Sequence, residues 1–216
     1  MAGRDEEMRV VLATRNPGKI EEVRRILEPL GITLLGLDAF PDLGEVPETG
    51  ATFLENALQK ARAAAAGTGI PALADDSGIT VEALDGGPGV RSARYGGEPP
   101  SDARNNERLM EAMRGVEDNA RGASYVCVAA AVLPGGDAIW EEGRWHGRLL
   151  GEPRGEGGFG YDPLFLDPET NRTAAEMSAA EKDARSHRGR AFRKLAPRLR
   201  EFLRQPRTKV TESHGR

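Results

Sequence analysis

The order of apolar patterns in the first seventy residues constrains the fold of this chain more than any other feature. An apolar run at 9–14 precedes a pattern of helical period at 17–29, and a second run at 32–37 precedes a second helical pattern at 51–66. Strands that alternate with helices in this way are typical of α/β proteins, so we expect a sheet covered by helices.

Later in the chain the alternation gives way to a β-hairpin. Two longer strands are predicted at 121–133 and 137–150, and the turn sequence PGGD joins them. Short strands are predicted in PALAD, ITVEAL and PLFL, and further helices at 101–114 and within 178–204. Because a hairpin is antiparallel, whereas alternation with helices favours parallel strands, the sheet is predicted to be mixed.

Length and charge limit the organisation and the partners of the chain. The 216 residues are 38% hydrophobic and contain no internal repeat, which predicts a single domain over 1–204 and a disordered polar tail over 205–216. A net charge of −4 argues against a protein that coats nucleic acid by bulk charge, and no stable nucleic-acid complex is expected. No apolar stretch approaches the roughly 18 residues of a membrane span, so a cytoplasmic protein is expected.

Cysteine and histidine content argues against two kinds of site. Cys127 is the single cysteine and lies in the apolar run SYVCVAAAV, which predicts a buried structural thiol and not a nucleophile. The histidines, His146, His187 and His214, are far apart and have no cysteine at ligand spacing. A structural zinc site is therefore not predicted.

The stretch TRNPGK joins the first predicted strand to the first predicted helix. The backbone N–H groups at a helix N-terminus carry a partial positive charge, and Lys19 adds a full one, so this corner would attract phosphate. The stretch lacks the G-x-x-x-x-G-K-[ST] spacing of a P-loop. A Pro-Gly turn with a solvated lysine is the alternative interpretation.

Two acidic stretches offer oxygen ligands for a metal ion. ADDSG places Asp75 and Asp76 at the end of a predicted strand and on opposite faces, so one is expected to act and the other to support it. The loop GEVPETG adds Glu45 and Glu48, and Glu55 follows in the next helix. Magnesium usually takes one or two protein carboxylates. The alternatives are an Asx-type turn at ADDSG and a favourable acid near a helix start.

Two later stretches suit recognition of a base. GEGGFGYDP satisfies G-x-G-x-x-G but leads into a proline, so we expect no dinucleotide fold; instead Phe159 can stack on a base and Asp162 can meet its polar edge. In EKDARSHRGRAFRKL, Ser186 is predicted to cap a helix that begins with His187 and Arg188. Cations there oppose the helix dipole, which favours a nearby anionic or carbonyl-rich ligand, with solvated residues or a nucleic-acid patch as the alternatives.

Six motifs follow one another along the chain: T-x-N-x-x-K, E-T-G-x-T-F-x-E-N-A, A-D-D-S-G, P-G-x-x-S-A-R-Y, P-R-G-x-x-G-F-G-Y-D-P and E-K-x-x-x-S-H-R. The series resembles the inosine triphosphate pyrophosphatase family, especially its bacterial members, from about Val10 to Leu199. The resemblance implies two α/β lobes around a long bent mixed sheet with flanking helices, an active-site cleft between the lobes, and a homodimer. It also implies magnesium-dependent hydrolysis of dITP, ITP or XTP to the nucleoside monophosphate and pyrophosphate.

The resemblance also implies roles by motif position. Asp76 would be the catalytic residue that activates water, and Asp76 and Glu48 would bind Mg²⁺. Pro47 stands where relatives often carry an acid, which leaves Glu48 as the nearest candidate. Asp75 remains the alternative base. The implied substrate-binding residues are Thr14, Arg15, Asn16, Pro17, Gly18, Lys19, Ser77, Phe159, Gly160, Tyr161, Asp162, Lys182, His187 and Arg188.

Base selection would depend on hydrogen-bond donors. Inosine and xanthosine carry a 6-keto oxygen, which Lys182, Arg188 or a protonated His187 could meet, whereas adenine offers a 6-amino group and would leave those donors unsatisfied. The strongest alternative from another class is a nucleic-acid-binding module on the Arg-rich C-terminal helix. Among enzymes, the alternative is a pyrophosphatase for other altered nucleotides, such as modified pyrimidine triphosphates.

Overall fold

The computed structural model describes residues 8–44 and 46–204, which form a seven-stranded sheet with helices on both faces. The strands are β1 (Met8–Leu12), β2 (Ile32–Leu35), β3 (Ala72–Val81), β4 (Gly122–Val132), β5 (Ala138–Leu149), β6 (Phe165–Asp167) and β7 (Arg172–Thr173). The α-helices are α1 (Pro17–Leu27), α2 (Phe53–Thr68), α3 (Asp102–Ala112), α4 (Ala179–Arg185) and α5 (His187–Leu203). The predicted tail, 205–216, lies outside the described residues.

The sheet is mixed, as the sequence predicts. Its strand order is β2-β1-β3-β4-β5-β6-β7; β1 runs parallel to β2 and β3, and the remaining neighbours are antiparallel. Leu12 of β1 pairs with Leu73 of β3, so the chain leaves β1 beside Ala74 and Asp75. The stretch TRNPGK and the two aspartates are therefore neighbours because of the parallel pairing. The predicted hairpin of β4 and β5 is also confirmed.

The prediction of two short strands in PALAD and ITVEAL is wrong. Residues 72–81 form the one continuous strand β3, and its pairing with β4 runs unbroken from Ala72 to Val81. Gly78 is needed there for space, because a Cβ would lie 2.4 Å from both the Gly89 carbonyl oxygen and Ser92 Oγ. A Ser-Gly pair usually indicates a turn, but here the glycine lies inside a strand where residues 89 and 92 approach its backbone closely. ADDSG lies within this strand, neither at a strand end nor in an Asx turn.

Capping residues set the helix boundaries. The second helix begins after Thr52, because the Thr52 side chain accepts from the backbone N–H of Glu55 while the Glu55 carboxylate accepts from that of Thr52. The C-terminal helical region is divided at Ser186, whose side chain accepts from the backbone N–H of Gly189 at 3.0 Å. This confirms the predicted cap, which divides the predicted helical region 178–204 into α4 and α5, while the two-residue β7 was not predicted.

Buried side chains cluster at the two ends of the long strands. At one end α1 and α5 pack on one face of the sheet around Leu12 and Leu73, and the alanine-rich face of α2 packs on the other. At the other end Ile79 and Trp145 pack with residues of α3 and β6. These clusters form the expected two lobes, and the ADDSG segment lies between them. No helix in the described part is long and apolar enough to cross a bilayer.

Candidate active site

The turn after β1 presents the start of α1, as the sequence predicts. Asn16 caps α1, its side-chain oxygen accepting from the Lys19 backbone N–H at 3.1 Å, and Thr14 Oγ1 accepts from the Asn16 backbone N–H at 3.2 Å. The Lys19 ammonium lies 3.1 Å from Asp75 Oδ2. Arg15 turns away, because its guanidinium donates to the Leu43 carbonyl oxygen at 2.9 Å. Lys19 therefore supplies the charge on the side of the aspartates.

The ring of Phe159 packs directly against Gly18. A Cβ built on Gly18 would lie 2.7 Å from Phe159 Cδ1 and 2.8 Å from Cε1, closer than carbon atoms can approach. This contact brings together two motifs that are far apart in the sequence. A ligand that touches the turn after β1 can therefore also touch the ring.

Asp75 and Asp76 point to opposite faces of β3, which confirms the expected alternation. Asp76 faces α2, where Asn56 donates to its Oδ2 at 3.1 Å and the Lys60 ammonium lies 3.1 Å from its Oδ1. Asp75 faces α1 and α5, and it is fully buried. The two carboxylates therefore have different partners.

Their surroundings shift the two carboxyl groups in opposite directions. Burial raises the pKa of Asp76, and the charge of Lys60 opposes this without cancelling it. Burial also acts to raise the pKa of Asp75, but the charges of Lys19 and Arg188 outweigh it and hold that pKa well below the usual range. Asp75 is thus a permanently ionised group, whereas Asp76 is the more basic carboxylate.

Glu48 lies on the same side of the strand as Asp76. The Lys60 ammonium is 2.7 Å from Glu48 Oε1 as well as 3.1 Å from Asp76, so one cation lies between the two acids. Arg94 Nη2 is 3.5 Å from Glu48 Oε2. Glu55, the other candidate ligand on α2, caps that helix instead, and Glu45 lies outside the described residues.

The loop after β5 carries the predicted base-binding residues. Asp162 Oδ2 accepts from the Phe159 backbone N–H at 2.9 Å and from the Lys182 ammonium at 2.5 Å, and Tyr125 donates to Oδ1 at 3.1 Å. The Lys182 ammonium also lies 4.6 Å from the centroid of the Phe159 ring. Asp162 therefore anchors the loop and holds Lys182 beside the ring.

A buried acid that the sequence analysis did not single out connects these groups. Glu22 of α1 contacts the Lys182 ammonium at 2.8 Å and accepts from Arg188 Nη1. Arg188 also donates to Asp75 Oδ2 at 3.2 Å and to Ser77 Oγ at 2.8 Å. The positive charge at the start of α5 is therefore balanced by acids of the protein itself, which offers an explanation for that placement besides a ligand.

His187 is buried in an aromatic stack. Its ring lies parallel to that of Tyr125, with the centroids 4.5 Å apart. Burial lowers its pKa well below the usual value, and the charges of Arg188 and Lys182 lower it further. His187 is therefore neutral at pH 7, and the idea of a protonated histidine that donates to a base is not supported.

Comparisons with known proteins bear on the origin of this arrangement. The model of the Ham1 family matches residues 10–198. The chain belongs to the Ham1 family. It is 55% identical to the dITP/XTP pyrophosphatase of Frankia alni over 201 residues, which cover 91% of this chain and 99% of that protein. It is 51% identical to the dITP/XTP pyrophosphatase of Nitratidesulfovibrio vulgaris over 192 residues, 86% of this chain and 93% of the relative.

Solved structures of the Ham1 family share the fold. A HAM1 protein from Coxiella burnetii superposes with a TM-score of 0.82 at 43% identity, covering 90% of this chain and 99% of that one. The Ham1 protein of Staphylococcus aureus superposes with a TM-score of 0.80 at 36% identity, covering 90% and 99%. The resemblance inferred from six ordered motifs is thereby confirmed.

Four further residues contact the predicted site residues in this Ham1-family chain without having been predicted: Glu22, Asn56, Lys60 and Tyr125. Asn56 and Lys60 are four positions apart on α2, so their position on one helix face could have been predicted, whereas their contact with Asp76 depends on how α2 packs against β3. Tyr125 offered no such signal, because its role depends on β4 lying beside the Phe159 loop.

Proposed function

We propose that this Ham1-family protein is a nucleoside triphosphate pyrophosphatase that hydrolyses dITP, ITP and XTP to the nucleoside monophosphate and pyrophosphate. The carrying observation is the contact between Gly18 and the Phe159 ring, because it joins an anion-attracting helix start to an aromatic surface. A ligand with a phosphate chain at one end and a base at the other matches both. The dITP/XTP pyrophosphatases at 51% and 55% identity support the same reading.

The enzyme uses Mg²⁺, for which Asp76 and Glu48 are the proposed ligands. Both carboxylates lie within 3.1 Å of a single ammonium group, so their oxygens can approach one cation. The described part of the chain has no cluster of three His, Cys, Asp or Glu side chains suited to a metal, but magnesium with one or two carboxylates completes its shell with water and phosphate. When bound, the ion neutralises charge on the triphosphate.

Asp76 is the proposed general base. Its carboxylate lies beside Glu48 on the face of α2, whereas the charge of Asp75 is committed to Lys19 and Arg188. Asp76 orients and deprotonates a water that attacks the α-phosphorus, and pyrophosphate departs as Lys19 balances its charge. No covalent intermediate is required, because positioning and charge stabilisation dominate such transfers.

Discrimination between bases rests on donors beside Phe159. A lysine ammonium has three N–H donors, and within the described chain Lys182 gives two of them to Asp162 and Glu22. The third is available to a 6-keto oxygen, and the guanidinium carbon of Arg188 lies 5.7 Å from the ring centroid. Adenine has a donor at that position and would leave these groups unsatisfied, which a hydrogen-bonding site rejects by around 10⁴-fold.

The decisive experiment measures pyrophosphate release from ITP, XTP, GTP and ATP at equal concentration, with magnesium and again with excess EDTA. We expect metal-dependent turnover of ITP and XTP far above that of GTP and ATP. Modified pyrimidine triphosphates belong in the same panel, since preference for them would support the alternative substrate class. Absence of turnover with every nucleotide would refute the proposed function.

We further propose a cytoplasmic homodimer that forms no stable complex with nucleic acid. The basic residues of α5 support the last point: Arg190 and Lys194 donate to backbone carbonyl oxygens at 2.8 and 2.7 Å, and Arg198 lies 2.6 Å from Glu141 Oε1. Light scattering tests the dimer. Salt-dependent binding of DNA or RNA without nucleotide turnover would instead favour the nucleic-acid module.

A further inference from the structure

Helix α3 contributes none of the predicted site residues, yet its side chains hold two loops that line the site. Asn105 is buried; it accepts from the Gly96 backbone N–H at 2.7 Å and donates to the Ala93 carbonyl oxygen at 3.0 Å. These bonds fix the backbone on either side of Arg94, the residue beside Glu48. One face of α3 therefore supports the loop next to the acidic pair.

A second pair of α3 side chains holds the loop of Phe159. Asp102 Oδ2 accepts from the Gly160 backbone N–H at 2.7 Å, and Asn106 Nδ2 donates to the Gly160 carbonyl oxygen at 2.8 Å. The donor and the acceptor of the residue directly after Phe159 are thus both bound by one helix. Asp102 and Asn106 are four positions apart, so they lie one turn apart on the same helix face.

The loop needs such an external support because of its own backbone. Gly158 and Gly160, on either side of Phe159, have φ values of +73° and +64°, in the left-handed region that favours glycine. Glycine in these positions permits this conformation, but it also allows many other backbone conformations in a loop without external contacts. Inside the loop, Phe159 itself is fixed by the bond from its backbone N–H to Asp162. The α3 contacts supply the connection to a rigid element.

We propose that Asp102 and Asn106 are positioning residues that set the location of the Phe159 ring for base binding. The inference rests on the proposed function, in which the ring stacks on the base. Neither side chain touches the turn after β1 or the acidic pair in any contact that the described residues show. Their loss should therefore weaken recognition of the base while leaving the triphosphate grip and the chemical step in place.

The main test compares Asn106→Ala with Arg108→Gln, a control on an exposed position of the same helix. Loss of one hydrogen bond should raise KM for ITP about 3- to 10-fold in Asn106→Ala, with kcat changed less than about twofold. Inhibition by inorganic tripolyphosphate, which has no base, should stay at the wild-type value. Arg108→Gln should match the wild type in all three measurements.

A pair of variants at position 102 separates positioning from folding. Asp102→Asn keeps an oxygen that accepts from Gly160, whereas Asp102→Ala removes it. We expect KM for ITP to rise in the alanine variant and to stay near the wild-type value in the asparagine variant. Equal KM in the two variants, or a parallel loss of tripolyphosphate inhibition in Asn106→Ala, would overturn the proposal.

Hydrogen–deuterium exchange gives a readout that does not depend on turnover. In the peptide spanning 155–164, exchange should accelerate in Asn106→Ala and Asp102→Ala and remain unchanged in Arg108→Gln. If the wild type fails to hydrolyse ITP while this pattern holds, the proposed function fails but the loop support stands. Unchanged exchange in both alanine variants would refute the support itself.

Discussion

Replacement of Gly18 by alanine tests whether the turn after β1 and the Phe159 loop form one binding surface. The new Cβ would lie 2.7 and 2.8 Å from two ring carbons, whereas carbon atoms in contact prefer about 3.5–4.0 Å. The ring must therefore move by about 1 Å. The backbone tolerates the change, because Gly18 is the second residue of α1 and is not among the residues of positive φ.

The structure gives the expected size of the effect. Stacking of a base on an aromatic side chain contributes about 1–3 kcal/mol, so displacement of the ring should raise KM for ITP by about 5- to 100-fold. Stability should change little, since Gly18 lies in the first turn of α1 and the displaced ring is only half-buried. Steady-state pyrophosphate release and thermal unfolding followed by circular dichroism measure the two quantities.

A double-mutant cycle with Phe159→Ala identifies the cause. Without the ring there is no collision, so Gly18→Ala should have little further effect on KM in the Phe159→Ala background. The same fold-increase in both backgrounds would refute the reasoning, because the methyl group would then act on the triphosphate or on the helix start. A drop in the unfolding temperature of the single variant would also count against it.

Three further variants test separate parts of the site. Asp76→Asn should lower kcat by about 10²- to 10⁴-fold, whereas nucleotide binding, measured by calorimetry, should stay largely intact. Full turnover in this variant would exclude Asp76 as the base. Arg188→Ala should reduce the ratio of kcat/KM for ITP to kcat/KM for ATP. It should also destabilise the fold by about 3–5 kcal/mol, since Asp75 loses a buried partner. An unchanged ratio would exclude a role of Arg188 in base selection. Burial raises the pKa of Glu22, but Arg188 and Lys182 bring it below 4.5 overall, so ionisation of Glu22 stabilises the fold above pH 4.5 and that contribution disappears on acidification. Glu22→Gln should show a flatter acid limb in urea unfolding, and an unaltered limb would contradict the assignment.

Local patterns predicted most of the fold. Apolar period and capping residues located β1, α1, α2 and the β4–β5 hairpin within a few residues, because these signals act over one or two turns of chain. The error in β3 has a different origin. Whether Ser77-Gly78 turns or continues depends on the pairing with β4, in which these residues lie opposite Cys127 and Val126. That neighbour is distant in sequence and invisible to a local pattern.

The same distinction applies to the candidate site. The residue types of TRNPGK, ADDSG and GFGYDP indicated phosphate, metal and base chemistry, since each motif carries its own reactive groups. Glu22 and Lys60 gave weaker signals, because each acts through a partner more than ten positions away, as Glu22 does through Lys182 and Lys60 through Glu48. Their roles follow only from the packing of α1 against α4 and α5 and of α2 against the loop.

The alternation of β3 explains how neighbouring aspartates come to have different tasks. An extended strand directs Asp75 to the face of α1 and α5, where Lys19 and Arg188 hold it ionised, and Asp76 to the face of α2, where burial keeps it basic. Asp75 thereby connects Lys19, the proposed triphosphate-binding lysine, to Arg188, which lies beside the ring proposed to stack on the base. Because a shift of one residue would exchange the two faces, the register of β3 fixes which aspartate faces α2. The continuous strand that the sequence pattern missed is therefore what separates Asp76, the proposed base, from Asp75, which pairs with the two cations proposed to bind the substrate.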